Sequence, residues 1–421
     1  MFGLKVLDLS YTNIEKLSDS VSDLLTLTSL LLIACDKLRH IPSLKKLRAL
    51  KRLDLYRTAL EKMPQGMECL SNLRYLKMNG CGEKEFPSGI LPKLFYLQVF
   101  ILEDFMPIAG HMDKQILAPV TVKGKEVACL RKLETLKCHF DGNSDFVDYL
   151  IYRDKTQSPR EYNFFVGEFG YDDYDVKRYY RCKSVWLGDL SIDSDGDLEG
   201  IFPNDIQQQM IFYCDAATSL CNVSSQIIRA EKLEVINIKD CSNMEGLVSS
   251  SSLRKEMKVL RSCPSSKGIF SGLMKFYCSG CNSMKKLFPI VLLTFLVNLE
   301  VIEVRWCVEM EEIIGTRSDE ESSCSSIEPK LPKLRILYLT ELPKLKSICS
   351  AELICDSLQQ IGITNCQMLK RLGIHLPLLE NGQLSHPPSL RVMEIHPKEW
   401  WESVVEWENP NAKEVLRPFI I

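Results

Sequence analysis

Histidine is scarce in this sequence, and the short motifs that mark most enzymes are absent. Six histidines occur in 421 residues: His40, His111, His139, His375, His386 and His396. No two stand at a spacing that would let them share a metal ion. Cys138 and His139 are adjacent, but neighbours on a strand face opposite sides, which argues against a catalytic pair. No G-x-S-x-G and no G-x-x-x-x-G-K-[ST] occurs, so neither a nucleophile elbow nor a phosphate-cradling loop is encoded. "IDSDGDLEG", residues 192–200, alternates acids as a calcium loop does. Counted from Asp193, however, Gly196 is fourth and Asn204 twelfth, where such a loop needs Gly sixth and Glu twelfth. A polar turn is expected there. We therefore expect no enzyme activity, no metal and no cofactor.

Long hydrophobic runs are missing too. The longest, "LFPIVLLTFLV" at 287–297, is too short to span a bilayer and contains Pro289. The opening "MFGLKVLDLSYTN" lacks a secretory leader's basic head, apolar run and cleavage site. A soluble, non-secreted chain is expected. Net charge is only −3, so nucleic acid is disfavoured as a ligand. The 17 cysteines are an odd number, and reduced thiols are the default in a long chain without a leader.

What is present is a repeat. Leu4, Leu27, Leu50 and Leu73 follow at intervals of 23 residues, each opening L-x-x-L-x-L. "LKVLDL", "LTSLLL", "LKRLDL" and "LRYLKM" are followed by "LFYLQV" at Leu94. The pattern returns at Leu233, Leu273, Leu299, Leu334, Leu358 and Leu390, making eleven repeats. Degenerate copies are expected at Leu133, from Cys182 to Leu190, and from Ile206 to Cys214, where Gln209 takes an apolar position. About 14 repeats are expected in one continuous stack.

The ninth position reads Thr12, Cys35, Thr58, Cys81, Leu102, Cys241, Cys281, Cys307, Leu342, Cys366 and Lys398. Six of eleven are cysteine, where random placement would put fewer than one. A small, weakly polar side chain is wanted where the chain turns away from the strand. There it can bond backbone groups of the turn. The single CxxC, Cys278 and Cys281, is explained by the same frame. Cys278 is a sixth position and Cys281 a ninth, so both thiols are expected buried and reduced.

A single such repeat cannot bury its leucines, but stacked repeats bury them together. The fold class expected is an α/β leucine-rich-repeat solenoid, a curved horseshoe. Its parallel sheet lines the concave face, and loops, turns and short helices form the convex one. We expect regular repeats over 1–104, degenerate repeats with long insertions over 105–230, regular repeats over 231–398 and a C-terminal cap over 399–421. In that cap Trp400, Trp401, Val404, Val405 and Trp407 would cover the last repeat. No polar cap precedes Leu4, which leads us to expect a fragment of a longer protein or a truncated product.

"LDLSYTNIEKL", "LRYLKMNGC", "LEVIEVRWCVEMEEIIG" and the closing "PKEWWESVVEWENPNAKEVLRPF" resemble one family. They are similar to the C-terminal leucine-rich repeat region of plant nucleotide-binding disease resistance proteins of the coiled-coil class. The resemblance covers most of the chain, more weakly from about 105 to 205. It implies a cytoplasmic protein, with nucleocytoplasmic or peripheral plasma-membrane placement as variants. It also implies protein partners: the nucleotide-binding module of the parent receptor, and a pathogen effector or guarded host protein. The alternative is an adaptor, such as a substrate-recruiting subunit of a ubiquitin ligase or an inhibitor scaffold.

The x positions of L-x-x-L-x-L point away from the core. They offer a basic strip with two tyrosines: Lys51, Arg52, Tyr56, Arg57, Arg74, Tyr75 and Lys77. Further along they offer Arg305 and Trp306, then Arg335 and Tyr338. Tyr, Trp and Arg carry much of the binding energy at protein interfaces, so these residues are the candidate protein-binding face. By resemblance, the N-terminal strip would face the nucleotide-binding module and the later repeats would carry recognition.

Overall fold

The computed structural model describes residues 3–79, 81–102, 120–153, 158–169, 183–189, 201–249, 251–255, 258, 268–315, 328–380, 382–403 and 411–421. Contacts divide the chain into two compact bodies, Met1–Trp186 and Leu187–Ile421.

The N-terminal body carries seven strands that pair in parallel and in chain order. They are β1 (Val6–Asp8), β2 (Ser29–Leu31), β3 (Arg52–Leu55), β4 (Tyr75–Met78), β5 (Val99–Leu102), β6 (Thr135–Phe140) and β7 (Glu161–Gly167). The register aligns Leu7, Leu30, Leu53, Leu76, Phe100, Leu136 and Tyr162. All but Leu7 are fully buried. Each leucine thus fills the space left by its counterpart one repeat away, and burial of this row holds the stack together.

Two expectations are corrected here. Phe100 pairs with Leu76, so the fifth repeat opens at Leu97, not Leu94. Leu94 instead closes the short turn after Leu91–Lys93, its N–H bonding the Leu91 carbonyl, as Leu70 bonds Met67 one repeat earlier. Leucines stand at both 94 and 97, so the spacing admits either frame. Leu102 is therefore a sixth position and drops out of the ninth-position series. Second, "EYNFFVG" at 161–167 is a sheet strand, outside every copy of the repeat expected within the degenerate stretch 105–230. Its inward residues Tyr162 and Phe164 are aromatic, which hid the leucine pattern. Helix Asn143–Tyr152 supplies Phe146 and Tyr149, which pack with Phe140 and Phe164 at ring separations of 5.2–5.9 Å.

Strand β8 (Lys183–Gly188) lies across the boundary between the bodies. The C-terminal body continues with β9 (Gln208–Phe212), β10 (Val235–Lys239), β11 (Lys275–Ser279), β12 (Lys286–Pro289), β13 (Val301–Arg305), β14 (Glu312–Gly315), β15 (Ile336–Thr340), β16 (Ser347–Cys349), β17 (Gln360–Thr364) and β18 (Val392–His396). Strands β9, β10, β11, β13, β15, β17 and β18 form its main parallel sheet. Strands β12, β14 and β16 form a second, three-stranded parallel sheet. The inward Gln209 is fully buried; its Nε2 donates to the Met210 carbonyl, while its Oε1 has no hydrogen-bond partner.

The ninth position does what its composition suggested. Thr12 and Thr58 donate their hydroxyls to the carbonyls of Leu9 and Leu55, three residues back, at 2.7 and 2.9 Å. The cysteines reach further. Cys35, Cys241 and Cys366 donate across to the sixth-position carbonyls of the preceding repeat, Leu9, Ile211 and Leu339, at 3.2, 3.8 and 3.7 Å. Cys278 and Cys281 are both buried, free thiols, and Cys278 Sγ lies 3.8 Å from Cys307 Sγ.

The eighth position is left-handed. Tyr11, Ala34, Arg57, Tyr213, Asp240, Gly280, Trp306, Glu341 and Asn365 have φ between 52° and 66°. Non-glycine residues resist this conformation. A hydrogen bond offsets the cost: the N–H of Tyr11, Ala34, Asp240, Gly280, Trp306, Glu341 or Asn365 donates to the seventh-position carbonyl of the next repeat. The ladder thereby runs one rung past the strand end.

Candidate protein-interaction surface

The register sets which candidate residues share a face. Arg52 pairs with Tyr75, and Asp54 with Lys77. These side chains alternate with the buried leucines and so stand on the solvent side of the sheet. The Arg52 guanidinium lies 3.9 Å from the Tyr75 ring centroid, and Lys77 Nζ lies 3.9 Å from that of Tyr56. Arg52 also lies 3.5 Å from the buried carboxylate of Asp54, and Arg57 lies 3.5 Å from the partly exposed carboxylate of Asp36. Much of the strip's charge is thus held within the sheet. Lys51 and Arg74 differ: both are exposed and make no ion pair among the described residues. The Arg74 N–H bonds the Lys51 carbonyl at 2.8 Å, so the two free cations sit side by side.

Lys51, Arg74 and Arg335 occupy the second position, just before their strands. Arg57 and Trp306 occupy the left-handed eighth position, so they stand at the strand-exit rim, not on the sheet face itself. Trp306 is 52% exposed. Arg305 lies on β13 against Glu303 in charge, although its Nε is not aligned as a hydrogen bond. Arg335 lies 4.0 Å from Glu300. Tyr338, on β15, is half-buried beside Gly362. The basic strip and the Arg305–Tyr338 group belong to different bodies.

Other chemistry is thin. Among the described residues no three His, Cys, Asp or Glu side chains gather as metal ligands, and no helix is long and apolar enough to cross a membrane. Burial pushes two of the thiols up, Cys366 to about 11 and Cys355 to about 12. These two are therefore protonated and poor nucleophiles at neutral pH. His139 is buried, with Nε2 2.6 Å from the Gly167 carbonyl, and burial lowers its pKa. The polar turn expected at 192–200, His111, and Val404, Val405 and Trp407 of the cap lie outside the described residues.

Stacked parallel strands with inward leucines and a mixed aromatic and charged outer face define a leucine-rich-repeat interaction module. Residues 254–375 match the leucine-rich repeats of plant disease resistance proteins of the RPS2-like type. The chain is 23% identical to disease resistance protein At4g27190 of Arabidopsis thaliana over 99% of this chain and 42% of that protein. It is 28% identical to disease resistance protein RPS5 of the same plant over 44% of this chain and 20% of that protein. Along nearly its whole length the chain is thus similar to the leucine-rich-repeat regions of plant disease resistance proteins. It spans less than half the length of these curated relatives. Among solved structures, the functional domain of InlJ from Listeria monocytogenes superposes at a TM-score of 0.39 with 14% identity, over 93% of this chain and 73% of that one. At that score the fold assignment rests on the sheet, not on the superposition.

Proposed function

We propose that this repeat region acts inside a plant immune receptor, holding a nucleotide-binding module inactive and sensing a pathogen effector or a guarded host protein. The observation that carries this reading is the match to disease resistance proteins along nearly the whole chain. In the N-terminal body the free cations Lys51 and Arg74 suit an acidic patch on the nucleotide-binding module. The outer face of the C-terminal sheet, with Arg305, Trp306, Arg335 and Tyr338, would meet the sensed protein. A ligand that binds only the open arrangement would shift the population towards the active receptor. The protein would work in the cytoplasm.

Charge reversal tests the inhibitory contact. In a pull-down with the nucleotide-binding module of the parent receptor, Lys51→Glu with Arg74→Glu should weaken capture. The steering charge is screened over about 10 Å at 0.1 M salt, so the wild-type contact should also weaken as salt rises. Capture left intact by both changes would remove the proposed role of this strip.

A further inference from the structure

The middle row of the C-terminal sheet reads Tyr277, Glu303, Tyr338, Gly362 and Glu394 across β11, β13, β15, β17 and β18. Gly362 opens a gap in that row. A Cβ placed there would lie 2.1 Å from Cδ1 and 2.4 Å from Cε1 of Tyr338. The Tyr338 ring therefore occupies the space a side chain at 362 would need, leaning across the strand towards Glu394. It remains half exposed.

The charges around this ring are unevenly matched. Glu303 is engaged by Arg305. Glu394 has no ion pair and no side-chain hydrogen bond among the described residues. Burial, then Glu394 and Glu303, raise the Tyr338 phenol's pKa, and Arg305 opposes them. Tyr338 leans over Gly362, and Glu394 stands beside Gly362 on the other side in the same row, so the ring and the carboxylate flank one position.

The N-terminal body shows the same elements in a satisfied form. There Tyr75 and Tyr56 each have a cation 3.9 Å from the ring centroid, supplied by the neighbouring strand. No cation among the described residues lies over Tyr338. An exposed aromatic face next to an unpaired carboxylate suits a planar guanidinium. Such a group stacks on the ring while its N–H groups donate to the carboxylate. An ammonium matches the charge but not the plane.

We propose that Tyr338 and Glu394 form a seat for an arginine side chain of the protein this receptor region senses. This rests on the reading that the C-terminal sheet face carries recognition. The seat gives that face a chemical preference: an exposed arginine, entering over Gly362.

The test uses the full chain with isotope-labelled tyrosine rings and a titration followed by NMR. The probes are N-acetyl-arginine amide and its neutral isostere N-acetyl-citrulline amide. The Tyr338→Leu variant identifies the Tyr338 resonance. A saturable shift of that resonance with the arginine compound, absent with the citrulline compound, is expected. Glu394→Gln should weaken the arginine response by about threefold or more. No saturable shift, an equal response to citrulline, or an unchanged response in Glu394→Gln would each overturn the seat. The small probe reports on these residues alone, so its failure leaves the receptor reading standing. Failure of the receptor pull-down, in turn, leaves the seat measurable.

Discussion

The Cys366 thiol reaches one repeat back to the carbonyl of Leu339, 3.7 Å away. The same reach joins Cys241 to Ile211 and Cys35 to Leu9. These cysteines serve as packed backbone donors, and they should behave as such toward reagents. A brief iodoacetamide pulse on the native protein, read by peptide mass mapping, should modify the exposed Cys129 first. Cys241, Cys281, Cys307 and Cys366 should react only after unfolding, because each is buried.

The left-handed eighth position predicts an unusual stabilising substitution. Tyr11 holds φ at 61° while 78% of its surface is exposed. Tyr11→Gly removes the conformational penalty and little packing, and should raise stability by up to about 1 kcal/mol. Gly280→Ala should do the reverse. Its new Cβ would meet Asp240 Oδ1 at 1.9 Å at a φ of +66°, a cost of about 1–3 kcal/mol. Urea midpoints of the two variants should move in opposite directions.

His139 predicts a pH dependence. Its folded pKa lies below the ordinary 6.5 because burial disfavours the charged ring. The unfolded chain therefore binds the extra proton first. Stability from this group is present above pH 6.5 and falls as pH drops from there towards the lowered folded value. Urea unfolding of the wild type should weaken across that window. His139→Gln, which does not titrate, should lose the slope contributed by this residue.

The C-terminal closure can be probed at one bond. Trp400 is buried and donates Nε1–H to the Leu369 carbonyl at 3.2 Å, while the Ile421 N–H bonds the Met393 carbonyl of β18 at 3.0 Å. We propose that this terminal segment covers the last repeat. Trp400→Phe keeps much of the ring and removes the donor, so it should cost about 0.5–1.5 kcal/mol. An unchanged thermal midpoint would mean the bond contributes nothing to the closure.

The regular repeats were legible because leucine spacing and burial are the same fact seen twice. Leu30, Leu53 and Leu76 recur at 23 residues and stack in register. The frame slipped at Leu94 because Leu94, Leu97 and Phe100 are all apolar at spacings of three, and only strand pairing selects one frame. The strand at 161–167 was missed because Tyr162 and Phe164 replace the leucines. Packing against Phe140 and Phe146 then compensates for their size.

The candidate surface was legible in part. Alternation puts Arg52, Tyr75 and Lys77 on the side of the sheet away from the leucines, where the register also has them. It could not show that Arg52 stacks on Tyr75 and Lys77 on Tyr56, since those contacts join residues from neighbouring repeats. Nor did it single out Glu394, whose proposed role rests on Gly362 and Tyr338 in adjacent strands. The left-handed turn at Arg57 and Trp306 was hidden as well, because neither residue type signals it.

The receptor reading is tested most directly by mapping the full-length transcript that encodes this chain. The expected result is an upstream, in-frame G-x-x-x-x-G-K-[ST], the phosphate-cradling loop of a nucleotide-binding module. An F-box in that place would contradict the receptor reading and select a ubiquitin-ligase adaptor instead.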